Sequence, residues 1–406
     1  MNSKHFKSLL TVTVSFSAIL LIAITSNIDR NSWSRLARSP TRSSLPPHEQ
    51  AYLTAAEIIK NDLIPVLVIG CNRVAITRAL EPVLRFRPNA TRFPVFVSLA
   101  CGVPEVKDAV LTAFAGNLTV WEYPDFPKLG TEQAERYHAL AVHYQLALER
   151  IFANETFNQV IILEDDLEIS PDFYSFFAVT LPLLYTDPTL FCISSWNDQG
   201  LAHLAKNTTR LLRTDFMPGL GWLLSRAVWD SLAPWTRAPY WDDWMRLPAQ
   251  RRARQCVVPE VPRNRNFGKD GVSGGQFFDE FIAKAAFAGD AGLQAVEFEE
   301  SWQDVAALLE PEYEYWLERD VYEEAELVGW DGTANRIDLD GLNLEGNVTR
   351  VRVEYESTEE LEKILVAVGM LHDPRAGVYR SAYKGILSFR MDSNLLVYLA
   401  PTKKAE

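Results

Sequence analysis

Four short apolar runs, each about the length of one β-strand, are the feature that most restricts the fold of this chain. They occupy residues 64–70, 94–99, 118–121 and 160–163. Short continuous apolar runs are typical of strands that are buried on both faces of a parallel sheet. Between the last two runs, residues 131–152 carry apolar side chains three and four positions apart, which predicts a long helix. Alternating strands and helices predict an α/β core.

The negative charge of the chain is concentrated in one stretch. The 406 residues have a formal charge of −13. Residues 297–326 alone hold 12 acidic residues and one basic residue, Arg319. We interpret this stretch as a connecting segment or a solvated face. Nucleic acid is not an expected partner, because phosphate contacts need clustered Lys and Arg. Hydrophobic residues make up 48% of the chain, which argues against disorder.

The N-terminal region contains a candidate membrane anchor. Residues 8–28 carry no charge and, as a helix, would be long enough to cross a hydrocarbon core of ~30 Å. Lys4 and Lys7 precede the run, which favours a cytoplasmic N-terminus and a luminal body. A cleaved signal peptide is the alternative. We favour the anchor because the run is longer than a typical signal-peptide core and no A-x-A cleavage pattern follows it.

Sequons and cysteines agree with a body outside the cytosol. The N-x-S/T sequons begin at Asn89, Asn117, Asn154, Asn207 and Asn347. The four cysteines are Cys71, Cys101, Cys192 and Cys256. An even set of cysteines is compatible with two disulfides, in any of three pairings. With neither a CxxC pair nor an HExxH pattern, a zinc site is not expected.

Changes in composition divide the chain into five segments. Alternation at 351–355, helical spacing at 359–370 and apolar runs at 385–389 and 395–399 predict a small C-terminal α+β module. The predicted segments are a tail and anchor (1–28), a stem (29–60), a catalytic domain (61–290), an acidic connecting segment (291–330) and the C-terminal module (331–406).

An acidic cluster follows the fourth apolar run. Glu164, Asp165 and Asp166 come directly after residues 160–163, at the carboxyl end of the predicted strand, where open α/β sheets bind ligands. Adjacent carboxylates repel one another, and a divalent cation would relieve that cost. Oxygen ligands suit Mg²⁺ or Mn²⁺. The alternative is a solvated loop that caps the next helix.

A second pair of carboxylates lies among aromatic residues. Asp242 and Asp243 are flanked by Trp241 and Trp244. Carboxylates beside indoles can be partly desolvated, which raises the basicity that a general base needs. Aromatic faces also suit the apolar faces of sugar rings. The alternative is that both Trp side chains belong to the core and both Asp side chains face solvent.

Two glycine-rich segments are weaker signals. Residues 218–222 could let a ligand approach the backbone closely, although such glycines more often mark ordinary turns. Residues 267–275 could form a lid that orders over a substrate, or a plain surface loop. The latter segment matches neither a Walker motif nor a dinucleotide fingerprint.

Taken together, these motifs resemble one known family. The motifs that carry the resemblance, in order, are residues 164–168, 194–198, 213–222, 241–246, 271–273 and 275–279. They resemble the N-acetylglucosaminyltransferase I family, strongly over residues 62–285. A weaker match continues over residues 351–401 and includes 377–380 and 399–401.

The resemblance implies a fold, a reaction and a compartment. The fold would be a GT-A nucleotide-sugar fold, with UDP-GlcNAc as donor and Mn²⁺ as cofactor. The reaction would form a β1,2 bond to the α1,3-linked mannose of a Man5GlcNAc2 N-glycan, with inversion at the donor anomeric carbon. The protein would be a type II Golgi membrane protein with a luminal catalytic domain. The family pattern also suggests the disulfides Cys71–Cys101 and Cys192–Cys256.

The resemblance further implies roles for the carboxylates and for one indole. Asp166 would hold the metal that bridges the UDP phosphates. Asp165 and Glu164 would face the ribose and the donor sugar. Asp242 would be the catalytic base that takes the proton from mannose O2, and Trp241 would border the donor sugar.

Further positions match nucleotide and donor contacts of the family. Arg73 and His143 match nucleotide-binding positions, and Ser273 matches a donor contact on a closing loop. Without the resemblance, His143 would be interpreted as a helix residue beside the apolar stripe. Position 100 departs from the animal pattern: an Asp that helps to bind uracil is replaced by Ala100. Uracil recognition must therefore lose that contact or find another.

Three other functions compete with this expectation. A related transferase acting on O-mannosyl glycans would have the same donor residues. An inactive sugar-binding relative is the second, but Asp166 and Asp242 argue against it because a binding module needs neither. A glycoside hydrolase also uses two carboxylates, yet it needs no metal beside a nucleotide.

Overall fold

The computed structural model describes most of the chain beyond the N-terminal region. The described residues are 44–123, 126, 132–232, 234–235, 240–293, 295–331, 336–338, 349–391 and 395–403. The candidate anchor, residues 29–43 of the predicted stem and Asn347 lie outside them. The chain divides into two units between Gln50 and Ala51, and the first is described only at 44–50. Within the described part, no helix combines the length and apolarity needed to span a bilayer.

The predicted strands are present in a mixed sheet. The first ten strands are β1 (Val66–Gly70), β2 (Val95–Leu99), β3 (Thr119–Glu122), β4 (Gln159–Glu164), β5 (Leu167–Ile169), β6 (Leu190–Ser194), β7 (Leu211–Thr214), β8 (Trp222–Ser225), β9 (Gln255–Pro259) and β10 (Asn264–Asn266). Among the described residues, eight of them form one sheet in the order β3-β2-β1-β4-β8-β6-β9-β7. The first four are parallel, as predicted, whereas β8 joins β4 antiparallel. Strands β5 and β10 form a separate antiparallel pair.

Helices alternate with the strands of the first half. The helices are α1 (Pro47–Ile59), α2 (Ile76–Arg85), α3 (Pro104–Phe114), α4 (Gln133–Phe152), α5 (Phe173–Thr186), α6 (Arg226–Ser231), α7 (Trp241–Arg246), α8 (Pro248–Arg251), α9 (Trp302–Ala306), α10 (Glu312–Arg319) and α11 (Thr358–Ala367). The predicted long helix is α4. It begins in a capping box, in which Glu132 and Glu135 satisfy each other's backbone N–H groups.

The apolar runs are continuous because the sheet is covered on both faces. Val66 and Val68 of β1 belong to a core that includes α5, whereas Leu67 and Ile69 belong to a second core that includes α4. Successive side chains of a strand point to opposite faces, so both sets are buried. Burying each such side chain contributes roughly 1.5–3 kcal/mol, and this drives the sheet together.

Segments predicted as stem and connector also contribute to the first core. In the predicted stem, Tyr52 and Ile59 are buried, and the Tyr52 hydroxyl donates to the carbonyl oxygen of Val179 at 2.7 Å. In the acidic stretch, Phe298 and Leu317 are buried in the same core. The acidic stretch is therefore amphipathic, with apolar residues packed inward. The domain boundaries themselves stay predictions.

The C-terminal module contains the predicted α+β elements. Its strands are β11 (Glu326–Asp331), β12 (Arg336–Asp338), β13 (Arg350–Tyr355), β14 (Leu387–Arg390) and β15 (Leu396–Pro401). In the part that the structure describes, they form a sheet of order β12-β11-β13-β15-β14. Ser357 caps α11 by accepting a hydrogen bond from the Glu360 N–H at 3.2 Å. The core of the module also takes in Leu201 and Phe281, so this sheet packs against the catalytic segment.

Both disulfides have the pairing that the resemblance suggested. Cys71–Cys101 joins the residue after β1 to a residue just beyond β2, and Cys192–Cys256 joins paired positions of β6 and β9. The first disulfide ties together two strand ends at the carboxyl edge of the parallel strands, which is the edge where the acidic cluster lies.

Candidate active site

One cleft contains every residue predicted to act in the site. It has a volume of 740 Å³ and lies at the carboxyl ends of β1 and β4. The predicted residues that line it are Arg73, His143, Glu164, Asp165, Asp166, Trp241, Asp242 and Ser273. The structure therefore brings together side chains from five separate parts of the sequence. The individual roles of these residues stay predictions.

A guanidinium group joins the two aspartates of the acidic cluster. Arg73 Nη1 lies 2.6 Å from Asp165 Oδ1 and 2.5 Å from Asp166 Oδ2. The backbone N–H of Cys71 also donates to Asp165 at 3.2 Å, and Asn266 donates to Asp166 at 3.3 Å. Both aspartates are buried. They are held at the turn after β4, with their oxygens directed into the cleft.

Burial makes this cluster costly to ionise. It raises the pKa of Glu164 above its ordinary value, and the charges of Asp166, Asp165 and Asp242 raise that pKa further. The Tyr144 hydroxyl donates to Glu164 at 2.6 Å and opposes the rise. Burial likewise raises the pKa of Asp165 and of Asp166, against the opposing charge of Arg73. A positive ion beside the cluster would favour its charged form.

The carboxylates of the acidic cluster suit a hard divalent cation that takes some of its ligands from the protein and the others from a bound substrate. The described residues contain no group of three or more acidic, His or Cys side chains placed to hold a metal by themselves. Mg²⁺-like ions commonly take one or two carboxylates and complete their shell with phosphates and water. Asp165 and Asp166 supply such carboxylates. The backbone at Gly268 approaches so closely that an added Cβ would lie 1.9 Å from Asp166 Oδ2. Only glycine leaves those oxygens accessible from that side.

The candidate base lies on a short helix that also lines the cleft. Asp242 is in the first turn of α7, and one third of its side chain is exposed (33%). Arg246, one turn later, donates from Nη1 to Asp242 Oδ2 at 2.6 Å and to Asp243 Oδ1 at 3.1 Å. Arg246 also donates to the carbonyl oxygens of Met217 and Pro218. The base is thus held by a buried cation that the backbone fixes in place.

The tryptophans of this helix are core residues, yet one of them also reaches the cleft. Trp241 is buried and lies between the rings of Tyr144 and Trp222, with centroid distances of 4.0 Å and 5.9 Å. Trp244 is buried against Trp235. Both indoles are therefore buried in the core, as the alternative interpretation of this motif predicted. Trp241 nevertheless lines the cleft, as the resemblance implied.

Both glycine-rich segments border the cleft. In the first, Gly219 and Gly221 have φ of +77° and +58°, values that an L side chain rarely adopts. The second segment is held over the acidic cluster, because Arg73 Nη2 donates to the carbonyl oxygen of Asp270 at 3.1 Å. Gln133 of α4 donates to the carbonyl oxygen of Val272 at 3.0 Å. Ser273 is thereby placed at the cleft wall.

His143 is a buried neutral histidine. Its Nε2 lies 2.8 Å from Ser98 Oγ, and burial lowers its pKa from 6.5 to about 3. Tyr123 packs edge-on against the imidazole. A neutral ring can both donate and accept hydrogen bonds, which suits recognition of an uncharged base such as uracil. Ala100 is buried at 4% exposure and does not line the cleft.

The chain is similar in sequence to known proteins along most of its length. The model of the GNT-I family matches residues 17–406. The chain belongs to the GNT-I family. One relative in this family is the alpha-1,3-mannosyl-glycoprotein 2-beta-N-acetylglucosaminyltransferase of Arabidopsis thaliana. It is 35% identical over 340 residues, which cover 82% of this chain and 73% of the relative. The expected family is confirmed, and the chain is an N-acetylglucosaminyltransferase, a glycosyltransferase.

Solved structures of other transferases are only distantly similar. A mannosyltransferase from Pyrobaculum calidifontis, in complex with GDP-Man and Mn²⁺, is 16% identical, with a TM-score of 0.34. The match covers 64% of this chain and 78% of that one. TarS 1–349 of S. aureus, in complex with UDP-GlcNAc, is 12% identical with a TM-score of 0.32 and covers 50% and 57%. TM-scores this low carry no inference.

Several cleft residues of this GNT-I family chain were not predicted as site residues. They are Tyr137, Asp198, Tyr240, Arg375 and Arg380. Asp198 and Arg380 lie within motifs that carry the resemblance, and Tyr240 directly precedes Trp241. Tyr137 fits the apolar stripe of α4, so its spacing indicated core. Arg375, from the C-terminal module, carries no sequence signal that links it to this cleft.

Proposed function

We propose that the protein transfers GlcNAc from UDP-GlcNAc to O2 of the α1,3-linked mannose of a Man5GlcNAc2 N-glycan, with Mn²⁺ and with inversion. The fold that we propose is the GT-A nucleotide-sugar fold. The observation that carries the proposal is a single cleft that holds both a carboxylate pair suited to a metal and a separate, partly exposed carboxylate, Asp242. Family membership supports the sugar and the glycoprotein acceptor.

The proposed mechanism assigns separate tasks to the acidic cluster and to Asp242. Asp166 would hold Mn²⁺, which when bound would stabilise the charge that grows on the departing diphosphate. Asp242 accepts the proton of the mannose O2 hydroxyl as that oxygen bonds to the anomeric carbon. The bond from the anomeric carbon to the phosphate oxygen breaks in the same displacement, and UDP leaves. A single displacement inverts the anomeric configuration.

Other residues would position the substrates. Arg246 keeps the carboxylate of Asp242 in one orientation, because the guanidinium is fixed by backbone carbonyl groups. Trp241 lines the cleft and would border the donor sugar, and Arg73 and His143, which also line it, would contact the nucleotide. Asp165 and Glu164 would face the ribose and the donor sugar. Each position is inferred from the resemblance, supported by its location in the cleft.

We also propose that the protein is a type II Golgi membrane protein with its catalytic body in the lumen. The uncharged run at residues 8–28 supports an anchor. The two disulfides support an oxidising compartment. The sequon residues Asn89, Asn117 and Asn154 are exposed, as glycan acceptors must be.

A substrate panel tests the proposed reaction. The full-length protein in detergent would be offered UDP-GlcNAc, UDP-GalNAc, UDP-Glc and GDP-Man, each with Man5GlcNAc2 or with an O-mannosyl peptide. We expect transfer only from UDP-GlcNAc to Man5GlcNAc2, abolished by EDTA and restored by Mn²⁺. Preferential transfer to the O-mannosyl peptide would replace the acceptor assignment. Full activity in EDTA would overturn the metal assignment.

A further inference from the structure

We propose that Tyr137 and Tyr240 form a stacking subsite for the acceptor glycan, which binds sugars beyond the mannose that reacts. The proposal rests on the proposed function, because it assumes that a glycan occupies the Asp242 side of the cleft. It adds a binding site on the acceptor side, where the resemblance provides only the base.

The two rings form an aromatic surface at the wall of the cleft. Their centroids lie 4.8 Å apart with an interplanar angle of 58°. Tyr240 is 40% exposed, and Tyr137 is half-buried beside it. Both residues line the cleft. They come from α4 and from the N-cap of α7, so two elements anchored in the second core fix the pair.

The aromatic pair lies beside the candidate base. Tyr240 precedes Asp242 by two residues, and the carboxylate charges of Asp242 and Asp243 act on the Tyr137 hydroxyl. Burial is the main reason that the pKa of Tyr137 is raised, and Arg375 opposes the rise. These effects place Tyr137 close to two carboxylates and one guanidinium that also line the cleft. A glycan whose mannose O2 contacts Asp242 would extend its next sugars over this surface.

The chemistry of this wall suits a carbohydrate. An exposed aromatic ring can cover the C–H face of a sugar, and the hydroxyl groups at the edge of that sugar need charged or polar partners. Asp243 and Arg375 provide an acceptor and a donor next to the rings. The side-chain charges that act on the Tyr137 hydroxyl are those of Asp242, Asp243 and Arg375, rather than those of Arg73 and the acidic cluster, which suit a nucleotide diphosphate and its cation. The tyrosine pair is therefore assigned to the acceptor.

The test compares a large acceptor with a minimal one. Tyr240→Ala and Tyr240→Phe would be assayed in the full-length protein with Man5GlcNAc2 and with methyl α-mannoside. We expect Tyr240→Ala to lower kcat/KM for Man5GlcNAc2 about threefold to tenfold, mainly through KM, as expected for one stacking contact. The values for methyl α-mannoside and the KM for UDP-GlcNAc should stay within about twofold. Tyr240→Phe should retain the wild-type values, because the ring face is kept.

A matched control and a binding measurement make the result decisive. Tyr315 is 67% exposed and does not line the cleft, so Tyr315→Ala should leave both acceptors unaffected. Equal losses for both acceptors, or a raised KM for UDP-GlcNAc, would overturn the subsite. Calorimetry would measure Man5GlcNAc2 affinity in the presence of UDP. If the wild type binds this glycan without transferring GlcNAc, the proposed function fails while the subsite stands. If Tyr240→Ala binds the glycan as tightly as the wild type, the subsite is wrong.

Discussion

Removing the guanidinium beside the candidate base should lower turnover without unfolding the protein. Arg246 makes a 2.6 Å hydrogen bond to Asp242 Oδ2, and its own side chain is 7% exposed. Hydrogen bonds to charged groups contribute about 1.5–3 kcal/mol. The lower end applies here because one third of the Asp242 side chain meets solvent, which screens the interaction. Without this hydrogen bond the carboxylate of Asp242 must be brought into its productive orientation, and a cost of about 1.5 kcal/mol for that step corresponds to a roughly tenfold lower kcat.

The substitution Arg246→Gln tests this expectation. Glutamine can still donate to one of the carbonyl groups of Met217 or Pro218, so the free energy of unfolding should fall by only about 1–3 kcal/mol. Initial rates with UDP-GlcNAc and Man5GlcNAc2 would give kcat and both KM values. We expect kcat to fall about tenfold, while the KM for UDP-GlcNAc changes by less than about threefold.

A neighbouring carboxylate provides the control. Asp243 accepts from the same Nη1 atom at 3.1 Å, but its side chain is 44% exposed. Asp243→Asn should therefore leave kcat close to that of the wild type. The argument fails if a folded Arg246→Gln protein keeps wild-type kcat, or if Asp243→Asn is equally damaging.

Two further predictions concern buried groups of the cleft. The folded-state pKa of His143, about 3, lies below its ordinary 6.5, so its imidazole costs no stability above pH 6.5. Below that pH the imidazole of His143 is protonated in the unfolded chain but stays neutral in the folded chain. The free energy of unfolding should therefore fall by about 1.4 kcal/mol per pH unit until the pH nears 3. Urea unfolding at several pH values would measure this slope, which His143→Gln should flatten and the control His138→Gln should not. If the free energy of unfolding depends on pH in the same way for the wild type and for His143→Gln, the prediction is wrong. Gly268→Ala would place a methyl group against Asp166 and should weaken Mn²⁺-dependent UDP-GlcNAc binding in calorimetry more than about tenfold. Gly271→Ala, whose added methyl group would lie 3.2 Å from Arg73 Nη2 and at least 3.8 Å from its other neighbours, should be milder, and equal affinities for both variants would refute the steric argument.

The sequence predicted those features that depend on local pattern. The four apolar runs could be assigned to strands because a sheet covered on both faces requires uninterrupted apolar side chains. The acidic cluster could be assigned to the cleft because Glu164, Asp165 and Asp166 follow β4 directly, at the edge where ligands bind. The helix α4 was predicted from its spacing alone.

Features that depend on distant parts of the chain were not predictable in this way. Nothing local indicates that β8 inserts antiparallel between β4 and β6. The charge of residues 297–326 predicted a connecting segment or a solvated face. The apolar residues between these charges, such as Leu317, nevertheless pack into the first core. Tyr137 was counted with the apolar stripe of α4, although its ring reaches the cleft and meets Tyr240. Spacing predicts which face of a helix is apolar, but not which ligand that face meets.

The most direct test of the proposed mechanism is the activity of Asp242→Asn. The amide is isosteric with the carboxylate but cannot take the proton of the mannose hydroxyl. Calorimetry with UDP-GlcNAc and Mn²⁺ would be combined with initial rates on Man5GlcNAc2. We predict unchanged donor affinity and loss of GlcNAc transfer. Near-normal turnover in the Asp242→Asn protein would contradict the account.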